Sequence, residues 1–269
     1  MNDRRNFKRE DRRNDRRPSP ALVEEVEGQL EGRNALTEAL RSGRTIDKVF
    51  IASGETDRGL QRLAAEAKEA GAVVVPVDRR KLDAMSFTKA HQGVITLAAA
   101  HEYCSIDDIL EEAASRGETA LIVICDELTD PHNLGAIMRS AECAGAHGVI
   151  IPKRRSVGLT ATVAKASAGA VEYMKVARVT NINSAIAELK EKGVWIFGTA
   201  AEGSIPMYQA DLTGPAAIVI GNEGDGMSPL VRKNCDVTVS IPMRGRISSL
   251  NASAAASILL YEAVRQRIG

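Results

Sequence analysis

The feature that most constrains the fold is a series of short apolar runs in the second half of the chain. The first run, TALIVICD at 119–126, is apolar almost throughout, as expected of a strand buried on both faces of a parallel sheet. Four later runs have the same character: GVIIP (148–152), VWIFGTA (194–200), AAIVIGN (216–222) and DVTVSIP (236–242). Helical patterns lie between them at 133–145, 181–192 and 249–267. This alternation predicts an α/β domain with a mostly parallel sheet over residues 119–269.

A smaller alternating block precedes this domain. Its strand-like runs are DKVFIA (47–52), AVVVPV (72–77) and QGVITLAA (92–99), and residues 58–71 have a helical pattern. We therefore expect a small α/β unit within residues 21–103. The acidic segment 104–118 is predicted to be a linker with a short helix.

The balanced net charge of the chain hides a basic N-terminal tail. Residues 1–20 hold eight Lys and Arg against four Asp and Glu, whereas the other 249 residues hold 27 against 31. The Arg-Arg pairs and the final Pro-Ser-Pro predict a disordered segment. This segment is either an arm that follows a phosphate backbone or a solvated tail.

Composition also excludes several classes of protein. No apolar run approaches the roughly 18–20 residues that a membrane-spanning helix needs, and the N-terminus has no apolar region of a secretory signal. The cysteines are scattered, with no Cys-x-x-Cys pair and no Cys/His cluster at ligand spacing: Cys104, Cys125, Cys143 and Cys235. We expect a cytoplasmic protein with reduced thiols, no membrane segment and no metal site.

The segment DPHNLGAIMRSA (130–141) begins a predicted helix with unusual polar residues. Asp130 before Pro131 fits an N-cap followed by proline at the first helical position. That local explanation does not cover His132, Asn133 or Arg139. Gly135 and Arg139 are four residues apart and share a helix face, so the missing side chain predicts open space beside the guanidinium. The alternative is a surface arginine over a tightly packed glycine.

The segment IVIGNEGDGMSPLV (218–231) leads from a strand into three glycines at positions 221, 224 and 226. Its G-x-x-G-x-G spacing matches neither the dinucleotide-binding fingerprint nor a P-loop, which would require Gly-Lys-Ser/Thr. Glycines allow positive φ and a close approach of the backbone to a ligand. The segment is therefore either a tight structural turn or a ligand-binding loop.

The segment IPMRGRISSLNASAAASILLYEAVRQR (241–267) enters the last predicted helix. Ser248 and Ser249 are candidate N-caps, and the following alanines give the helix a thin side that allows close packing. Asn251 is a poor helix former, which suggests that its side chain makes a hydrogen bond outside the helix. A simple capped packing helix is the alternative, although it leaves Asn251 unexplained.

Taken in this order, DPHNLGAIMRSA, IGNEGDGM and IPMRGRISSLNAS resemble the three motifs of the SpoU/TrmH branch of the SPOUT RNA methyltransferases. The alanine-rich NASAAAS differs from the Val-Ser-Val of many members but stays small and apolar. Residues 21–103, with EGRNALTEAL (31–40) and HQGVITLAA (91–99), look like the RNA-binding domain of many such enzymes, which is similar to a small ribosomal protein. The layout most resembles the bacterial 23S ribosomal RNA guanosine-2′-O-methyltransferases. The resemblance implies a homodimer and a deep trefoil knot that forms the S-adenosylmethionine pocket.

The resemblance also assigns roles to particular residues. The cofactor would be held at Thr199, Gly221, Ile241, Met243 and Leu250, with backbone groups of Ile241 and Met243 reading the adenine. Catalytic or substrate-positioning roles fall on Asn133, Arg139, Glu223, Ser249 and Asn251. RNA capture would draw on basic clusters, each of which could instead be a solvated face: Arg33 with Asn34, the run 79–81, Lys89 with His91, and Lys153 with Arg154 and Arg155.

The implied reaction is methyl transfer to a ribose 2′-OH of ribosomal RNA. The methyl donor is already electrophilic and needs no metal, whereas the 2′-OH is a poor nucleophile that must be oriented and deprotonated. A guanidinium has a pKa above about 12, so Arg139 could be a transient base or could clamp a phosphate and the developing oxyanion. We favour the clamp. Methylation of transfer RNA and a non-catalytic RNA-binding module are the alternative functions.

Overall fold

The computed structural model of the chain describes residues 28–54, 57–99, 101–201 and 205–268. The predicted basic tail, residues 1–20, lies outside these ranges. The described residues form two sheets, one of four strands and one of seven, each with its own apolar core. No helix within the described ranges has the length and apolar character needed to cross a membrane.

The N-terminal unit is a four-stranded sheet with helices on both faces. Its elements are β1 (Gln29–Glu31), α1 (Arg33–Arg41), β2 (Ile46–Ala52), α2 (Arg58–Glu69), β3 (Val73–Val77), α3 (Arg79–Met85) and β4 (Val94–Ala98). The strand order is β1-β4-β2-β3, and β4 runs antiparallel to both neighbours. Leu36 of α1 and Leu60 of α2 pack on one face, and Leu82 of α3 packs on the other. The three predicted strands and the predicted helix are confirmed, and β1, α1 and α3 are additional.

The C-terminal unit is a seven-stranded sheet in which every described strand pair is parallel. Its helices are α4 (Ile106–Ser115), α5 (Pro131–Cys143), α6 (Ala161–Ala166), α7 (Ile182–Glu191), α8 (Pro229–Asn234) and α9 (Ala252–Arg267). Its strands are β5 (Leu121–Cys125), β6 (Gly148–Pro152), β7 (Lys175–Val179), β8 (Trp195–Thr199), β9 (Ile205–Pro206), β10 (Ala216–Ile220) and β11 (Val237–Ser240). The order is β7-β6-β5-β10-β8-β11-β9. The predicted mostly parallel α/β architecture is confirmed.

The segment predicted to be a linker contains α4, which packs on the C-terminal sheet. Ser105 caps this helix and forms a capping box with Asp108. Ile106 and Ile109 are buried in the core below the sheet. Gly148 of β6 lies against Ile109, whose side-chain atoms would be 2.6–2.7 Å from a β-carbon at that position. The helix is therefore fixed to the strands that follow it.

The C-terminal end of α9 is held by its last arginine. The Arg267 guanidinium donates hydrogen bonds to the carbonyl oxygens of Leu212, Thr119, Ala120 and Gly214, at 2.7–3.0 Å. Burial of this group lowers its pKa. One side chain thus ties the end of α9 to the segments that lead into the two central strands, β5 and β10.

Candidate active site

A cavity of about 540 Å³ lies at the carboxyl ends of β8, β10 and β11, where the loops after these strands meet the start of α9. Carboxyl ends of parallel strands are the usual ligand-binding edge of an open α/β sheet. The cavity is lined by all five residues predicted to bind the cofactor: Thr199, Gly221, Ile241, Met243 and Leu250. Two of the predicted catalytic residues, Glu223 and Ser249, also line it.

The glycine-rich loop after β10 is a tight turn that also forms one wall of the cavity. Asn222 and Gly226 pair through two backbone hydrogen bonds of 3.1 and 3.2 Å, and Gly226 has a φ of +71°. The Asn222 side chain accepts hydrogen bonds from the backbone N–H of Gly224 and Asp225. A β-carbon on Gly221 would overlap the backbone of Gly226, so the turn requires glycine there. The tight turn is therefore confirmed, and the place of the loop in the cavity wall is compatible with the predicted ligand-binding role.

The mouth of the cavity is open and has both apolar and polar residues. Residues 242–250 are exposed, and among them Met243 and Leu250 keep 36% and 40% of their surface accessible although they line the cavity. Thr199 also lines the cavity, and its hydroxyl donates to the Val219 carbonyl oxygen at 2.8 Å. Because this hydroxyl already has a partner, Thr199 offers the cavity mainly its backbone and methyl group. The site suits a ligand with both apolar and polar parts.

Asn133, Glu223 and Asn251 form one hydrogen-bond network beside the cavity. Asn133 is buried in the first turn of α5, and its Nδ2 donates to Glu223 Oε1. Asn251 Nδ2 donates to Asn133 Oδ1, at 2.9 Å. The Asn133 amide thus donates to one neighbour and accepts from the other, which fixes its orientation. The three sequence motifs, far apart in the chain, meet at this network.

The structure corrects the expected start of α9. The N-cap is Asn251, whose Oδ1 accepts from the backbone N–H of Ser253 at 2.9 Å and of Ala254 at 3.3 Å. Ser248 and Ser249 lie before the helix in the exposed loop and do not cap it. The prediction that Asn251 makes a bond outside the helix is confirmed, because its Nδ2 reaches Asn133.

The expectation of open space beside Arg139 was wrong. A β-carbon on Gly135 would lie 2.5 Å from Ala166 Cβ and 2.9 Å from backbone atoms of Ala166 and Ser167, so the C-terminal end of α6 fills that space. Asp130 caps α5 as predicted, accepting from the His132 N–H at 2.8 Å. The Arg139 side chain is exposed and lies outside the cavity lining.

One predicted RNA-binding residue of the N-terminal unit has a structural role instead. His91 is 3% exposed, its Nδ1 accepts from the Gly93 N–H and its Nε2 contacts Asp83 Oδ1, each at 3.0 Å. It is not available for RNA because both ring nitrogens are occupied below the surface. Lys89 and Asn34 are exposed as expected.

Other predicted RNA contacts are at the surface but partly engaged. Arg33 pairs with Asp57 at 2.6 Å and also donates to the Gln92 carbonyl oxygen. Arg154 and Arg155 are exposed at the end of β6, where Arg155 pairs with Glu127 at 3.1 Å. Lys153 is half-buried and faces the N-terminal unit, since a β-carbon on Gly71 would lie 3.8 Å from its Nζ.

Sequence reasoning missed Arg232 and Asp225 as residues that line the cavity. Asp225 stands inside a recognised motif, so its spacing could have indicated it. Arg232 lies on α8, a helix of six residues that is too short to show a clear periodic pattern.

Comparison with known proteins matches both units. Residues 120–261 match the SpoU rRNA methylase family, and residues 29–104 match the family described as RNA 2′-O ribose methyltransferase substrate binding. The chain is 47% identical to the putative TrmH family tRNA/rRNA methyltransferase YacO of Bacillus subtilis over 236 residues, which cover 88% of this chain and 94% of YacO.

Two solved structures show a similar fold over most of both chains. The SpoU methyltransferase AviRb from Streptomyces viridochromogenes, in complex with AdoMet, is 27% identical with a TM-score of 0.58 and coverage of 90% of each chain. The AdoMet-bound rRNA methyltransferase from Sinorhizobium meliloti is 25% identical with a TM-score of 0.54, covering 88% of this chain and 86% of that one.

Proposed function

The chain belongs to the SpoU family of RNA methyltransferases, and from this premise we propose that it methylates the ribose 2′-OH of a guanosine in 23S ribosomal RNA. S-adenosylmethionine is the methyl donor. The observation that carries the proposal is the network of Asn251, Asn133 and Glu223, which joins the three family motifs at the edge of the cavity. The two hydrogen bonds hold three polar side chains in fixed positions beside a ligand-sized cavity, which favours a catalytic site over a purely RNA-binding module.

The residues around the cavity fit S-adenosylmethionine. The volume lies within the range of about 300–1,000 Å³ that is usual for small-molecule sites. Gly221 and the turn after it bring backbone close to the ligand, and Met243 and Leu250 supply an apolar cover. When bound, this cofactor supplies a methyl group on a sulfonium that is electrophilic without a metal.

The chain's own residues must orient the 2′-OH and manage its negative charge. Asn133 is held rigidly by Glu223 and Asn251, so it can offer a fixed amide rather than a mobile one. Ser249, exposed at the cavity, adds a hydroxyl that can donate to or accept from the ribose. The fork of Arg139 binds a substrate phosphate and stabilises the developing oxyanion, while phosphate or water removes the proton.

The proposal includes a homodimer. Arg139 is exposed on α5 and lies outside the cavity of its own chain, so it can serve a cavity only if the RNA or a second copy bridges the gap. Mixing an Arg139→Ala chain with an Asn133→Ala chain tests this arrangement. If the arginine serves the partner's cavity, each mixed dimer holds one complete site out of two, whereas each variant alone is inactive.

The proposed fold contains the trefoil knot of the family. After β11, near the edge of the sheet, the chain passes through residues 241–251 to α9, which packs against α5 and contacts the central strand β10. This return from the edge to the centre supports a threaded connection. The site of action is the cytoplasm, which agrees with four cysteines that are all free thiols.

The deciding experiment is methyl transfer from labelled S-adenosylmethionine to total RNA, followed by mapping of the modified ribose. We expect label in 23S ribosomal RNA at a guanosine. Label in transfer RNA alone would overturn the substrate assignment. Binding of S-adenosylmethionine with no label in any RNA would overturn the enzymatic function, and an Asn133→Ala chain controls for background transfer.

A further inference from the structure

A buried ion pair joins the two units of the chain. Asp47 of β2 and Arg178 of β7 lie 2.7 Å apart, and their side chains are 6% and 7% exposed. The same guanidinium also donates to the backbone carbonyl oxygen of Asp47, at 2.8 Å. Arg178 therefore contacts both the side chain and the main chain of one residue in the other unit.

Tyr103, in the segment that connects the units, completes this contact. Its hydroxyl donates to Asp47 Oδ1 at 2.7 Å and accepts from the Leu159 N–H at 2.8 Å. The Arg178 guanidinium lies 5.2 Å from the centre of the tyrosine ring, within cation–π range. One hydroxyl thus bridges β2 of the N-terminal unit and a loop of the C-terminal unit.

The local structure is shaped to produce this contact. The pairing of β2 with β4 shifts register between Ile46 and Lys48, and such a bulge re-aims the side chain at its position, here Asp47. A β-carbon on Gly158 would overlap the Asp47 carboxylate and lie 2.8 Å from the Tyr103 hydroxyl. Bulge and glycine together let the two units meet here. We call Asp47, Tyr103, Gly158 and Arg178 the junction cluster.

Stability alone is a poor explanation for the junction cluster. Burial raises the pKa of Asp47, and Arg178 and the Tyr103 hydroxyl only partly oppose this effect. Asp47 Oδ2 has no hydrogen-bond partner in the described chain. Buried ion pairs are often no more stable than apolar residues of similar volume, and their better-supported role is to select one geometry. The directional bonds of the cluster specify how the units are oriented.

We propose that the junction cluster is a positioning device that fixes the RNA-binding unit at one angle over the methyltransferase unit. This inference rests on the proposed function for its purpose, because RNA held by the N-terminal unit must reach the cavity at the carboxyl edge of the other sheet. Asp47, Tyr103 and Arg178 are positioning residues, since none of them lines the cavity.

Spin labels on the two units measure the orientation directly. Ala65 of α2 and Ala187 of α7 are exposed and can carry the labels as cysteines, with the exposed Cys143 replaced by serine. We expect one narrow distance distribution in the otherwise unchanged chain. Tyr103→Phe and Arg178→Met are each expected to broaden it.

Paired variants separate orientation from stability. Arg178→Met leaves the Asp47 carboxylate buried without a cation and should lower the melting temperature, whereas adding Asp47→Asn removes that charge and should restore it. The double variant is nevertheless expected to keep the broad distance distribution. Arg41→Met, which breaks the exposed pair with Glu38, is the matched control and should change neither quantity.

Kinetics supply the functional readout. We expect Tyr103→Phe and the double variant to lower kcat/KM for RNA at least ten-fold while the calorimetric Kd for S-adenosylmethionine stays unchanged. A narrow distribution in both variants, with only the melting temperature altered, would overturn the positioning role. Broadened distributions in a chain that methylates no RNA would support the junction cluster and reject the proposed function, so the two failures are distinguishable.

Discussion

Asn251 carries two separable interactions, and two substitutions test them. Its Oδ1 caps α9 by accepting from Ser253 and Ala254, and its Nδ2 donates to Asn133. Asn251→Asp keeps the acceptor and loses the donor, whereas Asn251→Ala loses both. The aspartate also places an acceptor oxygen against Asn133 Oδ1. Asn133 cannot turn its amide to compensate, because its Oδ1 would then face Glu223.

The expected magnitudes follow from these bonds. Replacing an Asn N-cap by alanine costs about 0.5–2 kcal/mol. Asn251→Ala should therefore have a free energy of unfolding about 1 kcal/mol below that of Asn251→Asp. The hydrogen bond between Asn251 and Asn133 is neutral and partly buried. Its loss leaves a buried acceptor unsatisfied, which costs on the order of 1–3 kcal/mol of the free energy that holds Asn133 in place. Because 1.36 kcal/mol corresponds to a tenfold rate change, both variants should lose about ten-fold or more in kcat.

Urea denaturation and single-turnover methyl transfer measure the two quantities. Asn181→Ala is the control, because Asn181 caps α7 by the same bonds, to Asn183 and Ser184, but does not line the cavity. Its free energy of unfolding should fall by the cost of losing an N-cap, about 0.5–2 kcal/mol, and its methyl-transfer activity should be unchanged. An Asn251→Asp chain with unchanged kcat would refute the role given to the bond with Asn133. Equal stability of the two Asn251 variants would refute the cap.

Three further predictions concern other parts of the chain. Gly135→Ala should lower the free energy of unfolding in urea by about 1–3 kcal/mol through overpacking, although alanine favours helices by about 1 kcal/mol. Adding Ala166→Gly should recover part of the loss. A Gly135→Ala chain more stable than the unchanged chain would contradict the close contact between Gly135 and Ala166. Arg139→Lys should lower kcat/KM for RNA at least ten-fold, and full activity would exclude any need for the guanidinium fork. Burial raises the pKa of Glu31, but hydrogen bonds from Thr88, Ser86, Phe87 and Gln29 outweigh it and hold the pKa at about 2. The stabilisation by Glu31 is thus fully present above its unfolded pKa of about 4.5 and is lost as the pH falls toward 2. The free energy of unfolding of Glu31→Gln should therefore depend less on pH in acid denaturation. Identical pH profiles of the two chains would contradict the hydrogen-bonded carboxylate.

The sequence predicts the central strands well because they are buried on both faces. The run at 119–126 contains the whole of β5, and GVIIP is β6 residue for residue. The edge strand β7 was missed because its Lys175 and Arg178 break the apolar run. Arg178 is charged for a tertiary reason, since it pairs with Asp47 of the other unit. Nothing within the strand itself indicates that partner.

The candidate site could be predicted only in part. Asn133, Glu223 and Asn251 could be grouped because their motifs follow strands or precede helices at the same edge of a parallel sheet. The neighbour of Gly135 could not be predicted, because it depends on where the short helix α6 packs. The same limit applies to His91, whose spacing beside Lys89 looks like a surface cluster although the backbone turn folds its ring inward.

The carbonyl contacts of Arg267 have a consequence for the time at which the enzyme becomes competent during its synthesis. Asn251, the donor to Asn133, and Arg267, which fastens α9, are added after all seven strands of the larger sheet have been translated. Chains grow at about 5–20 residues per second, so the earlier elements have time to collapse before α9 exists. A nascent chain that stalls before residue 251 contains the sequence of all seven strands but lacks the side chain that donates to Asn133, so its polar network is incomplete. Competence is thereby delayed until translation of this unit is nearly finished.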